Sequence, residues 1–380
     1  MNKRKKILVV FGTRPDAIKM ASVIKQLNLC PDFKTQVCIT AQHRQMLDQV
    51  LRIFNIKPDY DLDIMRKNQD LFVVTAKSLL QLKKVMLKSK PNLVLVQGDT
   101  TTTFAAALAA FYFKIPIGHV EAGLRTYDKY SPYPEEINRR LVTEISDFNF
   151  VPTTWAKNNL LKEGISKNKI FITGNTVVDA LHDIVRVIKS PDKKIEFGKK
   201  LDFLKKKDKR IILITGHRRE SFGEGFRNIC LAIRELATAF PECNFVYPVH
   251  LNPNVQTPVR RILSRKQLPN VYLIEPLDYI LFVYLMQKAY LILTDSGGIQ
   301  EEAGTFGKPI LVMRNITERP EGVKAGMAKL VGVNKEKIFR ACKQLLTDKD
   351  VYDKMVKRKN PYGDGKAAKR IIGILRKKLG

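Results

Sequence analysis

The sequence predicts an α/β protein built from two doubly wound parallel domains. Three observations carry the prediction. Short apolar runs, too brief for buried helices, alternate with segments whose apolar residues recur at helical spacing. The alternation runs through the first half of the chain and starts again after a Lys-rich helical stretch. At 380 residues the chain is also long for a single core.

Taken in order, Ile7–Phe11 reads as a buried parallel strand stopped by Gly12. A helix follows, with Thr13 as cap, Pro15 in its first turn and Ile18, Ala21, Ile24 and Leu27 on one face. Gln36–Thr40 is a second strand and His43–Phe54 a second helix. Leu71–Met86 has helical periodicity through Leu71, Val74, Ser78, Leu82 and Val85. Leu93–Val96 is a strand and Thr101–Phe113 an Ala-rich helix suited to tight packing. Ile115–Val120 and Phe148–Val151 complete the first alternation.

Residues 175 to about 209 read as a helical, Lys-rich crossing, with the domain break near Gly174. The first domain then spans 1–174 and the second 175–365. The second alternation comprises strands at Ile211–Thr215, Phe245–Val249, Val271–Ile274, Leu291–Thr294 and Pro309–Met313. Helices at Gly225–Phe240, Asn254–Ser264, Asp278–Lys288 and Ile299–Phe306 separate them. A last helix, Lys366–Leu379, has Ile371, Ile372, Leu375 and Leu379 on one face, and 366–380 is expected to pack back on the first domain. Its alternative is a basic amphipathic helix at a membrane surface.

Composition narrows the function. An apolar fraction of 44% is that of a globular chain. The formal net charge of +30 suits an anionic ligand, but the Lys residues are scattered and no nucleic-acid-binding motif accompanies them. Neither a nucleic-acid nor a membrane partner is expected. The odd number of cysteines, 5, and their wide spacing form neither a disulfide framework nor a zinc pattern. That points to a reducing cytoplasm and no metal. The basic start before Ile7–Phe11 is too short in its apolar part for a signal peptide.

Chemistry gathers after strand ends, where open α/β sheets bind ligands. Gly118–Arg140 (GHVEAGLRTYDKYSPYPEEINRR) lies dense in charge between two core strands and would set Glu121, Arg125, Glu135 and Arg139 along a crevice. Gly12–Lys19 (GTRPDAIK) is a strand-to-helix turn with Arg14 and Lys19 beside a helix N-terminus that favours an anion. It lacks the dinucleotide fingerprint, so NAD is disfavoured. Asp99 follows Leu93–Val96, where an acid enters the crevice or caps a helix. In the second half, His217 stands with Arg218 and Arg219 after one strand. Asp295-Ser296-Gly297-Gly298 opens a helix after another, offering backbone N–H groups to a diphosphate. Glu302 lies one turn further on, near ribose hydroxyls, and Arg319 can fork onto a phosphate. Together these describe a nucleotide-diphosphate site facing acids on the first domain.

These stretches resemble the bacterial non-hydrolysing UDP-N-acetylglucosamine 2-epimerases. The matching runs are GTRPDAIKMA, QGDTTTT, GHVEAGLRT with SPYPEEINRR, TGNTVVDAL, TGHRRESFGEGF, LTDSGGIQEEAG, ERPEGV and NPYGDGKAAKRI, in order along nearly the whole chain. The resemblance implies two Rossmann-like domains of glycosyltransferase-B type with the active site in the cleft between them. It makes Asp99, Glu121 and Glu135 the essential carboxylates, with Arg14 and Lys19 near the diphosphate or the sugar. His217, Ser296, Gly297, Gly298, Glu302 and Arg319 would hold UDP, with Phe282 near the uracil. Leu277 stands beside it, where many relatives carry Gln. A second UDP-N-acetylglucosamine, as activator, would meet Gln42, His43 and Gln45, and an Arg of some relatives aligns with Asn68.

The implied reaction interconverts UDP-N-acetylglucosamine and UDP-N-acetylmannosamine by anti elimination of UDP to 2-acetamidoglucal and re-addition. No cofactor is implied. A homodimeric, cytoplasmic enzyme of cell-surface polysaccharide biosynthesis is expected. The alternatives are an epimerase of a related UDP-diacetamido sugar, a hydrolysing epimerase, and a glycosyltransferase of the same fold.

Overall fold

The computed structural model describes residues 4–41, 44–65, 69–204, 209–263 and 268–380, without the side chains of residues 45, 203 and 219. The chain divides into two compact units, Met1–Ala180 with Tyr362–Gly380, and Leu181–Pro361.

The first unit holds a sheet of β1 (Lys5–Phe11), β2 (Phe33–Ile39), β3 (Tyr60–Asp61), β4 (Leu93–Gln97), β5 (Ile117–Val120), β6 (Phe148–Val151) and β7 (Ile170–Ile172). Their order is β3-β2-β1-β4-β5-β6-β7, and all pairs are parallel. The second unit holds β8 (Arg210–Thr215), β9 (Cys243–Pro248), β10 (Val271–Ile274), β11 (Leu291–Thr294), β12 (Ile310–Val312) and β13 (Ala328–Leu330). Their order is β10-β9-β8-β11-β12-β13, again all parallel. Both units are therefore Rossmann-like and doubly wound. Each has its reversal of strand order beside its first strand, between β1 and β4 and between β8 and β11.

Central strands are largely apolar because helices cover both faces. Ile7, Leu8, Val9 and Val10 are wholly buried, as are Ile212, Leu213 and Ile214. Each such side chain contributes about 1.5–3 kcal/mol relative to exposure. The helix Thr101–Tyr112 lies close to its neighbours because Ala105, Ala106, Ala107, Ala109 and Ala110 are all buried. Strand β5 begins at Ile117 rather than Ile115, just after Pro116.

Three strands not expected from the sequence, β3, β7 and β13, are two or three residues long and lie at sheet edges. Helices at Glu135–Ile145, Thr154–Lys162, Lys335–Thr347 and Lys349–Val356 also extend the expected alternation.

The sequence places the domain break near Gly174, whereas the contacts place it after Ala180. The reason lies in how 174–180 is tied down. Gly174 takes φ +88°, and a Cβ there would touch Gly363 Cα at 3.4 Å. Asn175 N donates to Tyr362 O at 2.7 Å. Asp179 accepts from the N–H groups of Ala367 and Ala368 at 3.1 and 2.9 Å, satisfying the start of the helix Ala367–Leu379. That helix packs on the helix Arg14–Asn28. Among the described residues no helix is long and apolar enough to cross a membrane.

Candidate active site

In the first unit the turns after β1 and β4 meet at the switch point. Gly12 is required there: a Cβ would lie 2.3 Å from Thr40 Oγ1 and 2.4 Å from Thr102 Oγ1. Those two hydroxyls share a hydrogen bond at 2.7 Å. Thr13 caps the helix Arg14–Asn28 in a capping box with Asp16. Arg14 is half-buried and has no ion-pair partner among the described residues. Lys19, one turn on, is buried and forms an ion pair with Glu121.

Glu121 follows β5 in the left-handed region at φ +66°, a conformation costly for a residue with a Cβ. Lys19 holds it, and Asn175 Nδ2 donates to its Oε2 at 3.0 Å. The next turn is fixed by Gly123, at φ +87°, where a Cβ would come 2.5 Å from Ala156 O.

Asp99 follows β4, with its side chain a quarter exposed. Its carboxylate meets Arg139 Nη2 at 2.6 Å, and its backbone oxygen accepts from Asn138 Nδ2 at 3.0 Å. The helix Glu135–Ile145 thus carries Glu135 at its first position and the two residues that hold Asp99. Glu135 is half-buried.

Three neighbours escaped the reading of the sequence. Glu136, wholly buried, accepts from the N–H groups of Thr126 and Tyr127 at 3.1 and 3.2 Å and so shapes the loop before the helix. His119, also wholly buried, meets Gly98 O through Nε2 at 2.7 Å, while its Nδ1 has no partner among the described residues. Burial pushes its pKa down to about 4, so the ring is neutral and Nε2–H is the donor. Gly98 sits at φ +70°, directly before Asp99. Asp16 is the third: burial, reinforced by Asp99 and opposed by Thr13, raises its carboxyl to about 7.

Arg125 was expected along the crevice. Instead its Nε and Nη2 donate to both oxygens of Glu163 at 2.9 and 2.8 Å, and Nη1 donates to Leu124 O at 2.8 Å. Its donors are spent on the fold. Glu163, remote in sequence, is what takes it.

The second unit repeats the plan around β8 and β11. Asp295, wholly buried, accepts through Oδ2 from the backbone N–H of His217 and of Arg218 at 2.7 and 2.8 Å. His217 Nδ1 lies 3.6 Å from Asp295 Oδ1, and its ring stacks on His250 with centroids 5.3 Å apart. Tyr247 OH donates to Gly216 O at 2.9 Å, fixing the same turn from below.

Ser296 is the N-cap of the helix Gly297–Thr305, and its N–H donates to Thr294 Oγ1 at 3.0 Å. Gly298 has open space where a Cβ would stand. Gly297 does not: a Cβ there would lie 2.3 Å from Arg319 Nη1. Glu302 is buried and accepts from Tyr279 OH at 2.7 Å. Leu277, after β10, and Phe282, in the helix Tyr279–Lys288, are half-buried.

Arg319 was expected to fork onto a phosphate. It lies buried under Gly297, with Nε donating to Glu301 at 2.6 Å and Nη1 to Glu318 at 2.5 Å. Arg314 continues the ladder to Glu318 at 2.8 Å and to Glu220 at 2.5 Å. Burial alone would raise the Glu318 pKa, but Arg319 and Arg314 outweigh it and hold the carboxylate ionised. The ladder supports the helix start from beneath.

Gln42 and His43 lie outside the described residues, as do the Gln45 side chain and Asn68. Among the described residues no group of three or more His, Cys, Asp or Glu is placed to hold a metal ion.

Comparison with known proteins gives the following. A family model described as UDP-N-acetylglucosamine 2-epimerase matches residues 25–376. A UDP-N-acetylglucosamine 2-epimerase of Yersinia pestis is 56% identical over 372 residues, covering 98% of each chain. One of Escherichia coli K12 is 54% identical, again over 98% of each chain. The crystal structure of UDP-GlcNAc 2-epimerase from Neisseria meningitidis bound to UDP-GlcNAc superposes with a TM-score of 0.95. It is 53% identical, over 98% of this chain and 100% of that one. A Methanocaldococcus jannaschii UDP-GlcNAc 2-epimerase in complex with UDP-GlcNAc and UDP is 37% identical, with a TM-score of 0.84 over 98% of this chain and 99% of that one.

Proposed function

The chain belongs to the UDP-N-acetylglucosamine 2-epimerase family, and from that premise we propose how its own residues carry out the epimerisation. The activity is that of an isomerase acting on a nucleotide sugar. The hydrogen on carbon 2 of the sugar has no adjacent carbonyl, so it is not acidic. It can leave only as the anomeric carbon–oxygen bond breaks. A carboxylate takes the carbon-2 proton, the C–H electrons become the C1–C2 double bond, and UDP departs with the C1–O electrons. The product in the site is 2-acetamidoglucal. Protonation of carbon 2 from the other face, with attack of a UDP oxygen on C1, yields UDP-N-acetylmannosamine. No water is consumed.

Two faces of one carbon call for differently placed acid/base groups. Asp99, Glu121 and Glu135 are our candidates. The observation that carries this is the crowding of Asp99 and Glu121 at the β1–β4–β5 strand ends, each already matched to a cation: Arg139 for Asp99, Lys19 for Glu121. Arg14 and Lys19 then face the diphosphate or the sugar. In the second unit, His217 and the N–H groups of Ser296, Gly297 and Gly298 stabilise departing UDP, with Glu302 near the ribose and Leu277 and Phe282 near the base. Arg319 serves the same site from beneath, by supporting the helix start. UDP-N-acetylglucosamine is the substrate and, at Gln42, His43 and Gln45, a candidate activator.

We also propose a cytoplasmic homodimer. Leu80, Leu87, Phe111 and Tyr112, large apolar side chains, are more than half exposed on the paired helices Leu71–Ser89 and Thr101–Tyr112. Light scattering of the purified protein tests the dimer, and a monomer at micromolar concentration refutes it.

The deciding experiment is incubation with UDP-N-acetylglucosamine in deuterium oxide, followed by proton NMR. Deuterium at carbon 2 of both epimers is expected. Epimerisation without label removes the elimination route. Release of free sugar would favour the hydrolysing alternative, and transfer without an epimer a glycosyltransferase.

A further inference from the structure

Asp16 has no role in the reaction as described so far. It lies in the first turn of the helix Arg14–Asn28 and is 4% exposed. Its Oδ2 accepts from Thr13 N at 3.2 Å and Gly12 N at 3.5 Å, which completes the capping box. A capping residue needs no more than this. Yet Oδ2 also accepts from Thr100 Oγ1 at 3.4 Å, across the switch point. Oδ1 faces Gln97, which is buried at the end of β4. In the orientation that satisfies both its polar ends, Gln97 donates to Asp16 Oδ1 at 3.2 Å and accepts from Gly98 N at 3.3 Å. Both oxygens of Asp16 thus reach the turn that carries Asp99, one on either side of it.

We propose that Asp16 is a positioning residue for Asp99: through Gln97 and Thr100 its ionised carboxylate holds the Gly98–Thr100 turn in working geometry, and its protonation releases that turn. The inference rests on the reading of Asp99 as an acid/base group.

The logic is one of donors and acceptors. An ionised Asp16 accepts from Gln97 Nε2 through Oδ1 and so leaves Gln97 Oε1 for Gly98 N. A protonated Oδ1 donates instead to Gln97 Oε1. The amide turns over, and its NH₂ is set against the Gly98 N–H, donor facing donor. The charged groups facing Asp16 are Asp99, from the turn after β4, and Lys19, from its own helix. Burial and Asp99 favour the protonated form, while Thr13, Gly12 and Lys19 oppose it, and the balance falls at about 7. The exchange between the two arrangements therefore lies near neutrality.

Asp16→Asn mimics the protonated acid, with Nδ2 donating to Gln97 Oε1. With UDP-N-acetylglucosamine as substrate, kcat is expected to fall by about tenfold to a hundredfold, with KM little changed. The wild-type kcat profile should show an acid limb near pH 7, and the variant should lack it. Adding Gln97→Glu exchanges donor for acceptor and should restore most of the lost kcat. If Asp16→Asn does not fold, Gln97→Met carries the test, since it leaves the capping box intact. It should lower kcat and move the acid limb to higher pH, because Asp16 loses a donor to its ionised form.

A wild-type kcat with an unchanged acid limb overturns the proposal, as does a variant that lowers only the melting temperature. Asp99→Asn is measured in parallel. If it keeps more than about a tenth of turnover, the acid/base reading falls and this inference with it. If Asp99→Asn is inactive while Asp16→Asn matches wild type, this inference alone falls.

Discussion

Asp295 and His217, on neighbouring strand ends, are joined through the backbone: Asp295 Oδ2 accepts the His217 N–H at 2.7 Å and that of Arg218 at 2.8 Å. One buried carboxylate therefore sets the turn that presents the candidate UDP-binding histidine. Replacing it by Ala leaves two partly buried N–H groups without an acceptor, a penalty of about 1–3 kcal/mol each at most. Asp295→Ala should lower stability in urea by that order and weaken UDP binding by calorimetry. Unchanged stability would mean that water replaces the carboxylate.

The three candidate acids can be separated from the residues that bind UDP. Glu121→Gln takes the carboxylate charge away from buried Lys19, and Asp99→Asn takes it away from buried Arg139, so both should lose some stability, whereas half-buried Glu135 should matter less to the fold. A lost general acid or base costs ~10²–10⁴ in rate. Asp99→Asn, Glu121→Gln and Glu135→Gln should each lose turnover in that range while still binding UDP. Some glucal and UDP should escape, since re-addition stalls. His217→Asn should weaken UDP binding as well. Any of the three that keeps more than about a tenth of turnover leaves the list.

His119 makes the fold sensitive to acid. Its pKa is about 4 in the folded chain, against an ordinary 6.5. Between those values the unfolded chain binds the extra proton, so stability is complete above pH 6.5 and declines as pH falls towards 4. At roughly 1.4 kcal/mol per unit, the loss is on the order of 3 kcal/mol. His119→Gln keeps a donor but has nothing to titrate. Urea unfolding at pH 7 and pH 5 should show a smaller difference in the variant, and an equal difference would exclude His119 as the cause.

Adjacent glycines should behave differently. A Cβ at Gly297 would lie 2.3 Å from Arg319 Nη1, and that guanidinium cannot swing aside because Glu301 and Glu318 hold it. Gly297→Ala should cost about 1–3 kcal/mol by overpacking. A Cβ at Gly298 meets nothing within 4 Å. Gly298→Ala should keep or raise the melting temperature, yet weaken UDP by about tenfold or more if the diphosphate approaches that backbone. Equal melting temperatures for the two variants would refute the contrast.

The sequence by itself determined the alternation of strand and helix, the parallel sheets and the turns where chemistry collects. These follow from local rules: β-branched runs in buried strands, Gly12 and Gly98 where strands end, and Thr13 as a cap. The short edge strands β3, β7 and β13 carry too few residues to show a period. Which charges remain available to a ligand was not legible. Arg125 reads as a crevice residue and Arg319 as a phosphate ligand, but in the fold Arg125 donates to Glu163, and Arg319 to Glu301 and Glu318. Gln97, Glu136 and Asp295 lie in runs that the sequence singles out, but their partners are not written there, and it is through those partners that they organise the turns around the candidate acids and His217. Those outcomes depend on pairings such as Arg125 with Glu163 or Glu121 with Asn175, between residues far apart in the chain. A side chain's charge is written in the sequence, but its partner and its burial are set only when the sheet brings distant turns together, and it is these that decide whether the charge supports the fold or meets the substrate.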